Sequence, residues 1–194
     1  MATHAKPLDG INVAILVTDD FEQVELTEPR TALEHAGAKT FIVSPKSGQI
    51  SGFHHDTKGD LFDVDKTFDE VKPSDFDGIL LPGGALNADA LRMDLHAREF
   101  VKFMDQNDRP MAAICHAPWL LISSGCAKGR TLTSYYTIQD DVRNAGGNWV
   151  DQEVVRDHNL VTSRSPHDLP AFNPSIVALF AEYKHRKAQD VVSA

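Results

Sequence analysis

The fold turns on one stretch, Met111-Ala112-Ala113-Ile114-Cys115-His116-Ala117-Pro118. Met111–Ile114 is a short apolar run after Pro110 and reads as a buried strand. Ala117–Ser123, closed by Gly125, reads as a helix with its stop. A strand that ends on a cysteine and turns at once into a helix has the layout of a nucleophile elbow. Such a turn exposes the side chain to a crevice, and helix N-terminal N–H groups favour thiolate over thiol. Small neighbours are needed on both sides, and Ala113 and Ala117 supply them where the G-x-S-x-G form has glycines. The same pattern also fits an inert core cysteine. His116 is either an ordinary polar residue at a helix start or the base beside a Cys nucleophile.

Outward from this stretch, strands and helices alternate. Ile11–Val17, Thr40–Ser44, Gly78–Leu81 and Met111–Ile114 read as strands at the centre of a sheet. Helices are predicted from Thr27 to Ala36, with Thr27 as N-cap, Pro29 in the first turn and Gly37 as stop. Others are predicted over Leu95–Gln106, Ile138–Ala145 and Pro174–Lys184, with a frayed tail from His185. The glycines of Pro45–Lys66 suggest a hairpin or edge decoration, and Val154–Arg156 with Leu160–Thr162 a second hairpin. The pattern implies one α/β domain over 1–194, with an ordered core of about 9–184 and short tails. Its sheet is expected to be mostly parallel, with helices on both faces. Ligands bind such sheets at the carboxyl ends of the strands. That singles out the loops Thr18–Glu25, Pro82–Asp89 and Cys115–Pro118.

Leu80-Leu81-Pro82-Gly83-Gly84 ends one of these strands. Two glycines there can turn backbone N–H groups toward the crevice. Gly84 would then pair with the N–H of His116, the residue after the nucleophile, as an oxyanion hole. Taken alone, Gly-Gly after a strand is also an ordinary turn. Phe21-Glu22-Gln23-Val24-Glu25 follows the first strand, and its acids also fit a solvated helix start.

The 194 residues are 42% hydrophobic and 24% charged, which argues against a disordered chain. A net charge of −9 disfavours a nucleic-acid or anionic-membrane partner. Cys115 and Cys126 make no C-x-x-C pair and no Cys-rich zinc site. No apolar run approaches the about 18 residues of a spanning helix, and the N-terminus carries no signal-peptide pattern. A cytoplasmic location with reduced thiols is expected. No G-x-G-x-x-G loop is present, and His54-His55 is a pair expected in an exposed loop, so neither a cofactor nor a metal is predicted.

Several segments taken together carry a resemblance. They are Phe21-Glu22 with Val24-Glu25-Leu26, Leu80–Gly84, Ala113–Pro118, Thr133-Ser134-Tyr135 with Asp140-Asp141, Asn144-Ala145-Gly146, and Ser163-Arg164 with Asp168-Leu169. In this order the chain resembles the PfpI family of intracellular cysteine peptidases. That family lies in the class I glutamine amidotransferase-like superfamily, which also holds the Parkinsonism-associated deglycase. The resemblance implies a flavodoxin-like three-layer sandwich and a homodimer, with hexamers in some members. It implies Cys115 as nucleophile, His116 as its catalytic neighbour, Glu22 as the carboxyl beside the sulfur, and Tyr135 in the substrate pocket. Asp89 is the best match to an acid that reaches a partner subunit's His, although it also fits a helix N-cap. Ala117 departs from the glycine many members carry.

The resemblance implies a stress-protective, cysteine-dependent hydrolase. Thiolate attack on a carbonyl is common to its peptidase, glyoxalase III and deglycase forms. Small aldehydes or their adducts suit one domain of this length better than peptides do. The alternative is a redox sensor or stress chaperone with an oxidisable Cys115.

Overall fold

The computed structural model describes residues 5–193. In chain order the elements are β1 (Asn12–Leu16), β2 (Phe21–Glu22), α1 (Gln23–His35), β3 (Lys39–Ser44), β4 (Gln49–His54), β5 (Thr57–Asp63) and β6 (Lys66–Thr67). There follow β7 (Gly78–Leu81), α2 (Ala85–Met93), α3 (Leu95–Gln106), β8 (Met111–Ile114), α4 (Pro118–Ser123) and β9 (Thr131–Leu132). The last are α5 (Gln139–Asn144), β10 (Asn148–Trp149), β11 (Val154–Asp157), β12 (Leu160–Ser163) and α6 (Leu169–Ser193).

Among the described residues, seven strands form the central sheet in the order β11-β12-β8-β7-β1-β3-β6, and within it only the β11–β12 pair is antiparallel. The four predicted central strands lie side by side as β8, β7, β1 and β3. Their side chains alternate between two cores, as the strand period of two requires. Val13, Ile15, Leu80, Ala112 and Ile114 face Leu26 and Leu33 of α1 and Phe172, Ile176 and Phe180 of α6. Ala14, Leu16, Ile79, Leu81, Met111 and Ala113 face Leu91, Phe100, Leu120 and Val142 on α2 to α5. The result is the expected three-layer sandwich. The chain first adds β3 on one side of β1 and then β7, β8 and β12 on the other. That reversal opens a crevice at the carboxyl ends of the strands.

Both expected hairpins are present, as β4–β5 and β11–β12. Two helix starts differ from expectation for one reason. Pro29 and Pro174 are expected in first turns, but both lie inside longer helices. Helix α1 starts at Gln23 with Glu22 as N-cap, four residues before Thr27. Its buried stripe of Glu25, Leu26, Pro29 and Leu33 has helical spacing, and burial of that face outweighs the hydrogen bond lost at Pro29. Helix α6 starts at Leu169 and does not fray at His185. Lys187 Nζ meets Asp77 Oδ1 at 2.6 Å and Arg186 meets Asp108 at 2.6 Å, fastening this part of the helix to the segments that lead into the central strands β7 and β8. At the other end, Leu8 is already part of the core. The outer parts of the expected tails, residues 1–4 and 194, lie outside the described residues. Among the described residues no helix is long and apolar enough to cross a membrane.

Candidate active site

Cys115 sits in the left-handed region, at φ 63°. A non-glycine residue there is uncommon and strained, as an elbow requires. The turn is held at both sides: Cys115 N–H donates to Ser163 O at 3.0 Å, and Tyr135 N–H donates to Cys115 O at 2.8 Å. Cys115 is 7% exposed and forms part of the floor of a cleft of about 1030 Å³.

The glycines of Pro82-Gly83-Gly84 are there for two different reasons. Gly83 has no room for a side chain: a Cβ would lie 2.4 Å from Glu25 Oε2 and 2.6 Å from Cys115 Cβ. Gly84 has φ 86°, and a Cβ would strike the backbone of Asp20 to Glu22. With both glycines in place, the N–H groups of Gly84 and His116 converge on the Cys115 sulfur. These are the two backbone donors expected from the sequence.

The carboxyl beside the sulfur is Glu25, which corrects the assignment to Glu22. Because α1 begins at Gln23, Glu25 lies on the buried face of its first turn, fully enclosed. It accepts the Gly83 N–H at 2.9 Å and is hydrogen-bonded to Cys115. Burial, with the charge of Glu22 adding, pushes the Glu25 carboxyl up to about 8. Among the described residues its buried Oε1 has no hydrogen-bond partner. Glu22 lies at the cleft wall instead, where its carboxylate accepts the His55 N–H at 3.1 Å. The available signal was the spacing of Glu25, Pro29 and Leu33, which continues the apolar face of α1 back to Glu25.

His116 Nδ1 is 3.2 Å from Cys115 Sγ, and its Nε2 is 3.5 Å from Thr137 Oγ1. The ring is stacked on Tyr135 at 4.8 Å and meets the edge of Trp119 at 5.2 Å. Burial lowers the His116 pKa, so the imidazole is neutral near pH 7 and able to accept a thiol proton. For Cys115, burial and then the Glu25 charge push the thiol up, and the two N–H groups oppose this. The expected help from the helix N-terminus is therefore not the deciding influence. Helix α4 starts only at Pro118, and the donors that reach the sulfur belong to Gly84 and His116.

Tyr135 lines the cleft, as expected for a pocket residue. Asp89 does not: it is exposed, the fifth residue of α2, and neither lines the cleft nor caps the helix. His54 and His55 are exposed at the β4–β5 turn, as expected, and border the cleft mouth. The far wall holds Arg164, clamped by Asp168 at 2.8 Å and Asp151 at 2.7 Å, with His167 beside it. The sequence offered Arg164 only as a point of resemblance, without a role. Among the described residues no three His, Cys, Asp or Glu side chains gather as a metal-ligating group. Cys126 packs in the second core, where burial and then Asp105 push its thiol up to about 12.

The chain is 44% identical over 162 residues to the protein named "Putative cysteine protease YraA" of Bacillus subtilis (strain 168), covering 83% of this chain and 93% of that protein. It is 43% identical over 169 residues to "Deglycase TK1284" of Thermococcus kodakarensis, covering 87% and 99%. Among solved structures, DJ-1beta of Drosophila melanogaster superposes with a TM-score of 0.79 at 26% identity, over 94% of this chain and 97% of that one. The model of the DJ-1/PfpI family matches residues 11–179. With 11–179 matched and relatives above 40% identity along nearly their whole length, this chain belongs to the DJ-1/PfpI family.

Proposed function

We propose that this protein is a cysteine-dependent hydrolase of deglycase or glyoxalase type, acting on small aldehydes such as methylglyoxal and their amine adducts. The observation that carries this reading is the surroundings of one sulfur. Cys115 is strained into the cleft with His116 Nδ1 at 3.2 Å, the Glu25 carboxyl in contact, and the Gly84 and His116 N–H groups converging on it. One proton is shared between Cys115 and Glu25. When it resides on Glu25, the carboxylic acid donates to a thiolate that two N–H groups also stabilise. A carboxylate at Glu25 would accept only the Gly83 N–H while facing a second anion.

The sulfur forms a bond to the carbonyl carbon as the C=O π pair moves to oxygen, where backbone N–H groups hold the new charge. The shared proton stays on Glu25 while the sulfur attacks, and His116 Nδ1, 3.2 Å from the sulfur, relays it onward. The proton goes to the oxygen of a hemithioacetal, or to the amine nitrogen when an adduct's C–N bond breaks. An aldehyde is a better electrophile than an amide, and this compact apparatus suits it. Peptide cleavage asks for a general acid placed at the leaving amine. Peptidase activity, suggested by the name of the Bacillus relative, is the competing outcome.

The test is a product assay on methylglyoxal, a glycated amine and a peptide, using wild type and Cys115→Ser after exhaustive chelation and desalting. Aldehyde or adduct turnover that survives chelation and falls at least about a hundredfold in Cys115→Ser is expected. Peptide cleavage without aldehyde consumption overturns the substrate class. Oxidation of Cys115 with no turnover overturns the enzyme. Self-association into a dimer, with Asp89 acting across the interface, is part of the same proposal. Light scattering should give twice the chain mass, and Asp89→Asn should slow turnover. A fully active monomer refutes both.

A further inference from the structure

Asn87 takes no part in the site as described above, yet its side chain is completely buried behind the cleft. It is the third residue of α2 and reaches back to the loop that precedes that helix. Its Nδ2 donates to Pro82 O at 3.0 Å and to Gly83 O at 2.9 Å. Its Oδ1 accepts the Thr18 N–H at 2.8 Å, from the chain just beyond β1. The amide therefore has one orientation, with donors toward two carbonyls and its acceptor toward an N–H. It fastens together the carboxyl ends of β1 and β7, two of the strand ends that form the crevice.

The Gly83 carbonyl belongs to the same peptide unit as the Gly84 N–H, which points at the Cys115 sulfur. A planar peptide held at its oxygen is also held at its N–H. A donor on the oxygen polarises the unit and strengthens the N–H as a donor in turn. Gly84 has no side chain to fix that peptide, and its φ of 86° is open to few other residues. Among the described residues, the Gly83 oxygen receives besides Asn87 only a longer contact, 3.4 Å, from the Glu22 N–H.

We infer that Asn87 is a positioning residue for the anion cradle, aiming and polarising the Gly83–Gly84 peptide so that its N–H holds charge on sulfur and on the oxyanion. The inference rests on the hydrolase reading for its oxyanion part only; the sulfur part stands without it.

Two variants test it, Asn87→Asp and Asn87→Ala. Asn87→Asp keeps the shape and the acceptor for Thr18 but turns an oxygen toward two carbonyls. Asn87→Ala removes all three bonds. The apparent pKa of Cys115, read from iodoacetamide rates against pH, is expected to rise in both, by half a unit or more. With methylglyoxal, kcat is expected to fall about tenfold or more while KM stays within about threefold, the pattern of a lost transition-state interaction. Unchanged alkylation profiles in folded variants overturn the inference, as does a loss confined to KM. If neither variant folds, wild-type protein labelled with 15N decides. The Asn87 side-chain amide and the Gly84 amide are expected to move together in the titration of Cys115, and an Asn87 signal that stays flat overturns the proposal. Absent turnover in wild type would sink the hydrolase reading while leaving the alkylation and NMR results to judge Asn87.

Discussion

At the scale of single residues, the chemistry depends on which carboxyl meets the sulfur. Glu22 and Glu25 are three positions apart, and only the start of α1 separates their fates. With Gln23 as the first helical residue, Glu22 stays at the cleft wall and Glu25 turns inward against Cys115. Iodoacetamide labelling with peptide mapping should therefore show three things. Cys115, which lines the cleft beside His116, should react at least about tenfold faster than Cys126, which packs in the second core away from it. Glu25→Leu should slow Cys115 at neutral pH more than Glu25→Gln does, because the amide keeps a donor toward sulfur. Glu22→Gln should have the smallest effect of the three. Equal responses to the two Glu25 variants would refute the hydrogen bond, and faster modification of Cys126 would refute the elbow. Cys115 and His116 were legible because a strand, a cysteine and a helix start are adjacent in the chain. Glu25 was not, because its role depends on a helix phase that Pro29 disguised. Asn87 carried no signal at all: its three partners lie on two loops that only the folded sheet brings together.

Among the elements, the strand ends were the most legible part. β7, α3 and β8 have the bounds their apolar runs predict, since buried parallel strands and an amphipathic helix announce themselves by periodicity. Proline was the weak marker, because tertiary burial overrides its cost inside α1 and α6. The loop after β7 is where element geometry and chemistry meet, and its glycines make separable predictions. In Gly83→Ala the new methyl must displace either the Glu25 carboxyl or Cys115 itself, since both lie within 2.6 Å of it. Stability should fall by about 1–3 kcal/mol, and turnover by about a hundredfold, because the acid and nucleophile are pushed apart. Gly125→Ala is the control. Gly125 has a positive φ, 76°, and open space around it, so its alanine variant should lose stability through backbone strain without losing activity per folded molecule. Denaturant unfolding and turnover on the same preparations separate the two cases. A Gly83→Ala protein with wild-type turnover would show that the packing of Glu25 on Cys115 is dispensable.

For the whole molecule, the site is a source of instability that the two cores must outweigh. The alternation of strands with helices made a sheet covered on both faces, and so two cores, readable from the sequence, while the grip of Lys187 on Asp77 spans 110 positions and was not. Burying an ionisable carboxyl without a counter-charge disfavours the folded state whenever that carboxyl is ionised in the unfolded chain. Glu25 ionises near 4.5 when unfolded and at about 8 when folded. Between those values the folded protein keeps a proton that the unfolded chain has lost. Stability therefore falls as pH rises through that window, and the loss is complete above about 8. A shift of this size corresponds to on the order of 4–5 kcal/mol at the upper end. Cys115 shares the proton, so the clean measurement is made in a Cys115→Ser background. Denaturant unfolding from pH 5 to 9 should show Glu25→Gln gaining on its parent as pH rises and levelling off once Glu25 is ionised in both states. Parallel stability curves would mean that Glu25 is ionised in the folded protein at neutral pH, and the acid that the proposed mechanism places beside the thiolate would be absent.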